Sequence, residues 1–303
     1  MIKVGVIGAG HLGKLILKQL TELSDWFNII GYYDNNPNLC SIDNEMQAWN
    51  SFLDSSSLIK ACDALILSVP TSFHYIYAKQ ILFLGKHLFI EKPITDTLEE
   101  AFLLKNYSDG KPDIIVQVGH IERYNPAWLS IKDLSLEPKF IEVHRLAPFN
   151  ARGTDVSVIL DLMIHDLDLI LQLIPHEITE IRANGVSILS QAPDIANARI
   201  EFKNGAVANV TTSRISMKKM RKMRLFQQNS YISLDFLERK SRVISNSLFQ
   251  TEMISPAFND YNALKEELKS FAEAIIYKRK PIVTADDGVK ALQLAFNIID
   301  AIQ

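Results

Sequence analysis

Apolar residues over the first 120 positions come in short unbroken runs, separated by longer stretches of mixed character. The runs IKVGVI (2–7), FNIIGYYD (27–34), DALILSV (63–69), HLFIE (87–91) and DIIVQVG (113–119) are rich in β-branched and aromatic residues. Such runs suit strands buried on both faces of a parallel sheet. Between them KLILKQLTEL, SFHYIYAKQILFLG and TLEEAFLLKNYS read as helices. Strands alternating with helices predict a doubly wound parallel sheet of the Rossmann type over residues 1–120.

After His120 the period shortens. KFIEVHRLAPF, EITEIRANGVSIL, ANARIEF, GAVANVTTSRI, KMRLFQQ and YISLDFLE all read as β segments, with Asn204-Gly205 as a hairpin turn. Helices are expected only at 156–174, 260–278 and 285–302. Residues 121–303 are thus expected to form an α+β domain, a largely antiparallel open sheet with helices on one face.

Composition narrows the function classes. Hydrophobic residues at 48% and charged residues at 22% are ordinary for a soluble globular chain. A net charge of −3 gives no general attraction to nucleic acid or an anionic membrane. No run of ~18 uncharged apolar residues is available for a membrane span, and no secretory leader is legible at the N-terminus. The two cysteines, Cys40 and Cys62, have neither metal-site spacing nor the number for a disulfide framework, so a reducing cytoplasm is expected. The basic run RISMKKMRKMR (214–224) reads as a solvated strand and loop, with a phosphate or nucleic-acid grip as the alternative.

The chemistry begins at GAGHLG, between the first strand and the first helix. Gly8, Gly10 and Gly13 suit a tight turn, a close backbone approach to a pyrophosphate, and helix–strand packing. His11 and Leu12 lie inside that turn, and the helix N-terminus offers free N–H groups to phosphate. Asp34 ends the second strand, where a carboxylate accepts from adenosine ribose hydroxyls and repels a 2′-phosphate. NAD is therefore expected in preference to NADP. Ligands sit beyond the carboxyl ends of such strands, which singles out Pro70-Thr71-Ser72, Glu91-Lys92-Pro93 and Gly119-His120.

In DLMIHDLDLI (161–170), charged residues interrupt an apolar run. Asp161 and His165 are four apart and share a helix face, which Asp168 extends, while Asp166 is expected to point toward solvent. Leu160, Met163, Ile164, Leu167 and Leu171 form the apolar stripe. A metal site, a structural histidine and a catalytic acid/base pair are all compatible with this segment. Lys92 adds weight to the last, because a lysine after that strand can stabilise negative charge on a reacting oxygen. Taken alone, it also reads as a surface lysine.

Together GAGHLG, SVPTSFH, EKPI and DLMIHDLD resemble, in that order, the motifs of the Gfo/Idh/MocA oxidoreductases. The resemblance spans nearly the whole chain. It implies a catalytic trio of Lys92, Asp161 and His165, with His165 taking a proton from a sugar hydroxyl while hydride passes to the nicotinamide. It implies that Gly8, Gly10, Gly13 and Asp34 hold NAD, that Pro70, Thr71, His74 and Glu91 line it, and that the substrate is a sugar. A homodimer or homotetramer through the second sheet is implied as well, with no metal, nucleic acid or membrane partner. GHIERYNPAW and APFNARGTDVSVILDLMIHDLD are similar to a subgroup that includes enzymes oxidising UDP-N-acetylglucosamine, which implies Arg123, Tyr124, Asn125 and Arg152 as substrate contacts. For Asn125-Pro126 a helix start explains the pair equally well. Ile16 departs from the family, many of whose members carry histidine there. Reduction of a free aldose, an inositol or a biliverdin-like substrate, and NAD(H) sensing without turnover, are the alternatives.

Overall fold

The computed structural model describes all residues except 37, 39–42, 151–155, 246–249, 255–260 and 303. The chain divides into two compact units. One joins Met1–His120 to Leu264–Val289, and the other joins Ile121–Ala263 to Lys290–Gln303. Residues 264–289, read from chain order as part of the second domain, belong to the first. The cause is visible in helix Ala263–Ile276, which buries Leu268, Phe271, Ala272 and Ala274 in the core of the first unit. Phe271 meets Phe89 edge to face, with ring centres 5.8 Å apart. Each such large side chain contributes about 1.5–3 kcal/mol.

Among the described residues the first unit contains five parallel strands: β1 (Ile2–Ile7), β2 (Phe27–Tyr33), β3 (Ala64–Leu67), β4 (His87–Glu91) and β5 (Val116–Gly119). Their order is β2-β1-β3-β4-β5. Beyond β2, Tyr32 pairs in parallel with Ser51, through Tyr32 N–H to Asn50 O and Phe52 N–H to Tyr32 O. Counting that bridge as a vestigial strand gives the Rossmann order. Every residue of β3 is buried, as parallel packing between two helix layers requires. Helices His11–Glu22, His74–Phe83 and Leu98–Asp109 follow the strands as expected. Thr97 caps the last of these by accepting the Glu100 N–H. The short helix Ser55–Ala61, capped by Asp54, was not legible in the apolar pattern.

The second unit is an eight-stranded sheet: β6 (Phe140–Leu146), β7 (Ile178–Val186), β8 (Ile195–Phe202), β9 (Val207–Ser213), β10 (Met220–Gln227), β11 (Ser230–Asp235), β12 (Lys240–Ser245) and β13 (Gln250–Ile254). The order is β13-β12-β11-β10-β6-β9-β8-β7, antiparallel throughout except for β6 beside β9. Gly205, at φ +80°, makes the expected turn between β8 and β9. One face packs Ile141, Val143, Ala198, Ile200, Val210 and Leu225 against Met163, Leu167, Ile170, Leu294 and Ile298. The other face carries half-exposed polar ladders, among them Asn197 Nδ2 to Thr211 Oγ1 at 2.8 Å and the ion pairs Arg224–Glu142 and Lys222–Asp235. Most of the basic run is absorbed in this way. Arg214 is buried and donates to Val156 O, and Arg221 lies 3.6 Å from Glu122.

Candidate active site

In the first unit the glycine turn is fixed by neighbours. Gly8 has φ +89°, and a Cβ there would lie 2.7 Å from the backbone of Ser68. A Cβ on Gly13 would lie 2.0 Å from Gly8 O, so helix and turn touch directly. Gly10 is different, since nothing stands within 4 Å of its Cβ position. Its bare backbone opens onto a cleft of about 140 Å³, lined by Gly8, Tyr33, Asp34, Ser68, Pro70, Phe73 and Tyr77. The Asp34 carboxylate accepts the N–H of Ala9 at 2.7 Å and of Asn36 at 2.9 Å. A cradle that a Cβ would fill, an exposed helix start at His11 and Leu12, and a carboxylate at the strand end fit a dinucleotide. Tyr33, Phe73 and Tyr77 went unassigned in the sequence, although they stand at a strand end and around a helix start beside recognised motifs.

Thr71 opens the one-turn helix Thr71–Phe73 after Pro70. His74 is only 1% exposed, so it braces the cleft instead of lining it. Its Nδ1 lies 2.9 Å from Pro93 O and its Nε2 3.0 Å from Val69 O, tying the loop after β3 to the loop after β4. Burial lowers its pKa, partly opposed by those carbonyls. Lys92 is half-buried and joined to Pro93 by a cis peptide. Beside it the Glu91 carboxyl lies flat over Gly119, where a Cβ would stand 2.8 Å from Oε2. Burial pushes Glu91 up to about 7, while Lys92 pulls the other way.

In the second unit the segment 158–173 is helical, but Ile159–Met163 is a π-helical turn before the α-helix Ile164–Leu173. Ile164 N–H accordingly bonds Ile159 O, five residues back. Such turns are rare and concentrate at functional sites. Asp161 lies on the π turn and His165 just beyond it, both half-buried. Asp166, expected to point toward solvent because it lies off the face of Asp161 and His165, does not. It is 2% exposed and accepts Arg145 Nε at 2.6 Å and Nη2 at 2.9 Å. Burial alone would lower the Arg145 pKa, but Asp166 and Glu122 outweigh it and hold the guanidinium charged.

The GHIERYNPAW segment serves the same helix. Arg123, 6% exposed, grips Asp168 with Nε at 2.7 Å and Nη2 at 2.5 Å, so its guanidinium is turned inward. Tyr124 is likewise buried, and its carbonyl accepts the Tyr261 hydroxyl. Asn125 caps Pro126–Leu129 by accepting the Ala127 N–H, and it donates to Glu122 and Phe236 O. Its role is the helix start. Arg152 lies outside the described residues, as does Cys40. Cys62 is buried, and burial pushes its thiol up to about 12. Among the described residues no helix is long and apolar enough to cross a membrane, and no group of three or more His, Cys, Asp or Glu side chains is placed to hold a metal ion.

Comparison with known proteins joins the two halves. Residues 2–120 match the family profile described as "Oxidoreductase family, NAD-binding Rossmann fold", and residues 141–231 match the "GFO/IDH/MocA C-terminal domain". UDP-N-acetylglucosamine 3-dehydrogenase of Acidithiobacillus ferrooxidans is 32% identical over 100% of this chain and 97% of its own length. Its structure superposes with a TM-score of 0.92, covering 99% of this chain and 97% of that one. The scyllo-inositol 2-dehydrogenase (NAD(+)) of Bacillus subtilis is 29% identical over 77% of this chain and 73% of its own. A levoglucosan dehydrogenase solved with NADH and levoglucosan shares the fold, at TM-score 0.87 and 19% identity over 99% and 96% of the two chains. With a glycine cradle suited to a dinucleotide and a matching C-terminal sheet, the chain belongs to the Gfo/Idh/MocA family of NAD-binding oxidoreductases.

Proposed function

We propose that this protein is an NAD-dependent dehydrogenase of a nucleotide sugar, oxidising the C3 hydroxyl of UDP-N-acetylglucosamine or a close analogue. The observation that carries the reading is the full-length likeness to the Acidithiobacillus ferrooxidans enzyme. Gly8, Gly10, Gly13, Pro70, Thr71 and Asp34 hold the dinucleotide, and the Asp34 carboxylate selects a free ribose 2′-hydroxyl. Bound NAD supplies the hydride acceptor. His165 takes the proton of the sugar hydroxyl, since a neutral imidazole is a competent base near neutral pH. Asp161 orients that imidazole and stabilises its protonated form. The Lys92 ammonium stabilises negative charge that develops on the reacting oxygen as the hydroxyl becomes a carbonyl. The half-exposed face of the second sheet pairs with another copy of the chain.

The test is absorbance at 340 nm with purified protein, NAD and UDP-N-acetylglucosamine, coupled to an aminotransferase that consumes the ketone. NADH formation in the wild type, reduced about a hundredfold or more in Lys92→Ala and His165→Asn, is the expected result. Wild-type turnover of scyllo-inositol but not of the nucleotide sugar would replace this reading with a cyclitol dehydrogenase, for which the Bacillus subtilis relative is the precedent.

A further inference from the structure

Asp166 and Asp168 are two positions apart on an α-helix, which puts them roughly 200° apart around its axis. Both are buried, and each is gripped in bidentate fashion by an arginine from another element: Asp166 by Arg145 of β6, Asp168 by Arg123 of the turn Ile121–Tyr124. The helix is therefore held on two opposed flanks. Leu167 and Ile170 fill the arc toward the core, and His165 lies on the other arc between the two grips. Immediately before it the chain makes the π turn that carries Asp161.

Buried ion pairs are a poor way to gain stability. Desolvation offsets most of the attraction, and apolar replacements of similar volume are often neutral or stabilising. Two bidentate pairs on one helix of ten residues thus point to a role in geometry. A helix pinned on both flanks can neither roll nor slide, and the wider π turn is kept in register.

We infer that the Arg123–Asp168 and Arg145–Asp166 pairs are positioning devices, which fix the roll of the helix so that Asp161 and His165 present their side chains at one angle. The inference rests on the catalytic reading of that pair given above. Each arginine acts through the helix.

The experiment replaces one grip by apolar side chains of similar volume, in the double variant Arg123→Met/Asp168→Leu, beside the isosteric Asp168→Asn. Each is followed by melting temperature, NADH affinity, kcat and KM, and the 15N shifts of the His165 imidazole. The expected double variant stays folded, binds NADH within about twofold of wild type, holds KM, and loses kcat about tenfold or more, because displacements of ~1 Å at a reacting group cost up to a hundredfold. Its His165 resonances move. Should the double variant fail to fold, Asp168→Asn carries the same test. A folded variant with wild-type kcat and unmoved His165 shifts would overturn the inference. If the wild type oxidises none of the sugars offered, the functional reading fails, and the inference is judged on the His165 shifts alone: movement supports it and constancy overturns it.

Discussion

Asp34, the residue after β2, accepts the backbone N–H of Ala9 from inside the glycine turn at 2.7 Å. One carboxylate thus joins the glycine turn to the strand end, where the proposed function has an adenosine ribose read. Removing it should change both tasks. In Asp34→Ser the ratio of kcat/KM for NADP over NAD should rise about tenfold or more, since a repulsive anion is gone. Affinity for NAD should fall at the same time. Steady-state kinetics with both cofactors decides this, and an unchanged ratio would remove Asp34 from cofactor choice.

Gly10 and Gly13 make a contrast that separates binding from folding. Gly10→Ala meets open space in the protein, so its melting temperature should stay within ~2 °C of wild type. Its NADH affinity, read by fluorescence titration, should drop about tenfold, because the methyl occupies the approach to the pyrophosphate. Gly13→Ala places a carbon 2.0 Å from a backbone oxygen, so the turn itself must shift. That variant should lose both stability and binding.

Glu91 gives the stability a pH dependence of known sign. Its folded pKa of about 7 lies above the ordinary carboxylate value of 4.5. The folded chain therefore holds this proton more tightly than the unfolded chain does. The stability contributed is fully present below about pH 4.5 and is lost as pH rises through about 7. Glu91→Gln removes the ionisation. Urea midpoints at about pH 5 and about pH 8 should fall further in the wild type than in the variant. Equal falls would assign the titration elsewhere.

The return of residues 264–289 to the first unit predicts that residues 1–120 alone lack a complete core. That fragment should show no cooperative thermal unfolding. In the full chain Phe271→Ala should cost about 3–5 kcal/mol, the range for emptying a buried aromatic site. A fragment that melts cooperatively and binds NADH would show that the helix Ala263–Ile276 is dispensable.

The strands of the first unit were legible because both-face burial leaves unbroken apolar runs, and the glycine spacing marked the tight turn between β1 and the helix His11–Glu22. In the second sheet β6 to β11 were legible as β segments, but their order was not. The parallel contact between β6 and β9 depends on pairing across some sixty residues, and no local period records it. β12 and β13 escaped notice because KSRVIS and QTEMI lack clean alternation.

At the candidate site, Asp161 and His165 were picked out by their spacing, but the π turn beneath them has no signature in residue type. Asp166 was misjudged for a related reason. Helical spacing says where a side chain starts, and only the distant Arg145 explains why a carboxylate is tolerated inside. Arg123 looked available to a substrate for want of the same knowledge about Asp168.

The discontinuous first unit also sets a timetable for synthesis. A ribosome that has delivered β5 must add more than 140 further residues before Leu268 and Phe271 emerge to cover Phe89. At ordinary elongation rates that interval is roughly ten seconds. During it the nascent sheet has an uncovered apolar side, while β6 to β13 are being completed downstream. The dinucleotide-binding unit is thus begun first and completed only after the strands of the other unit have been made.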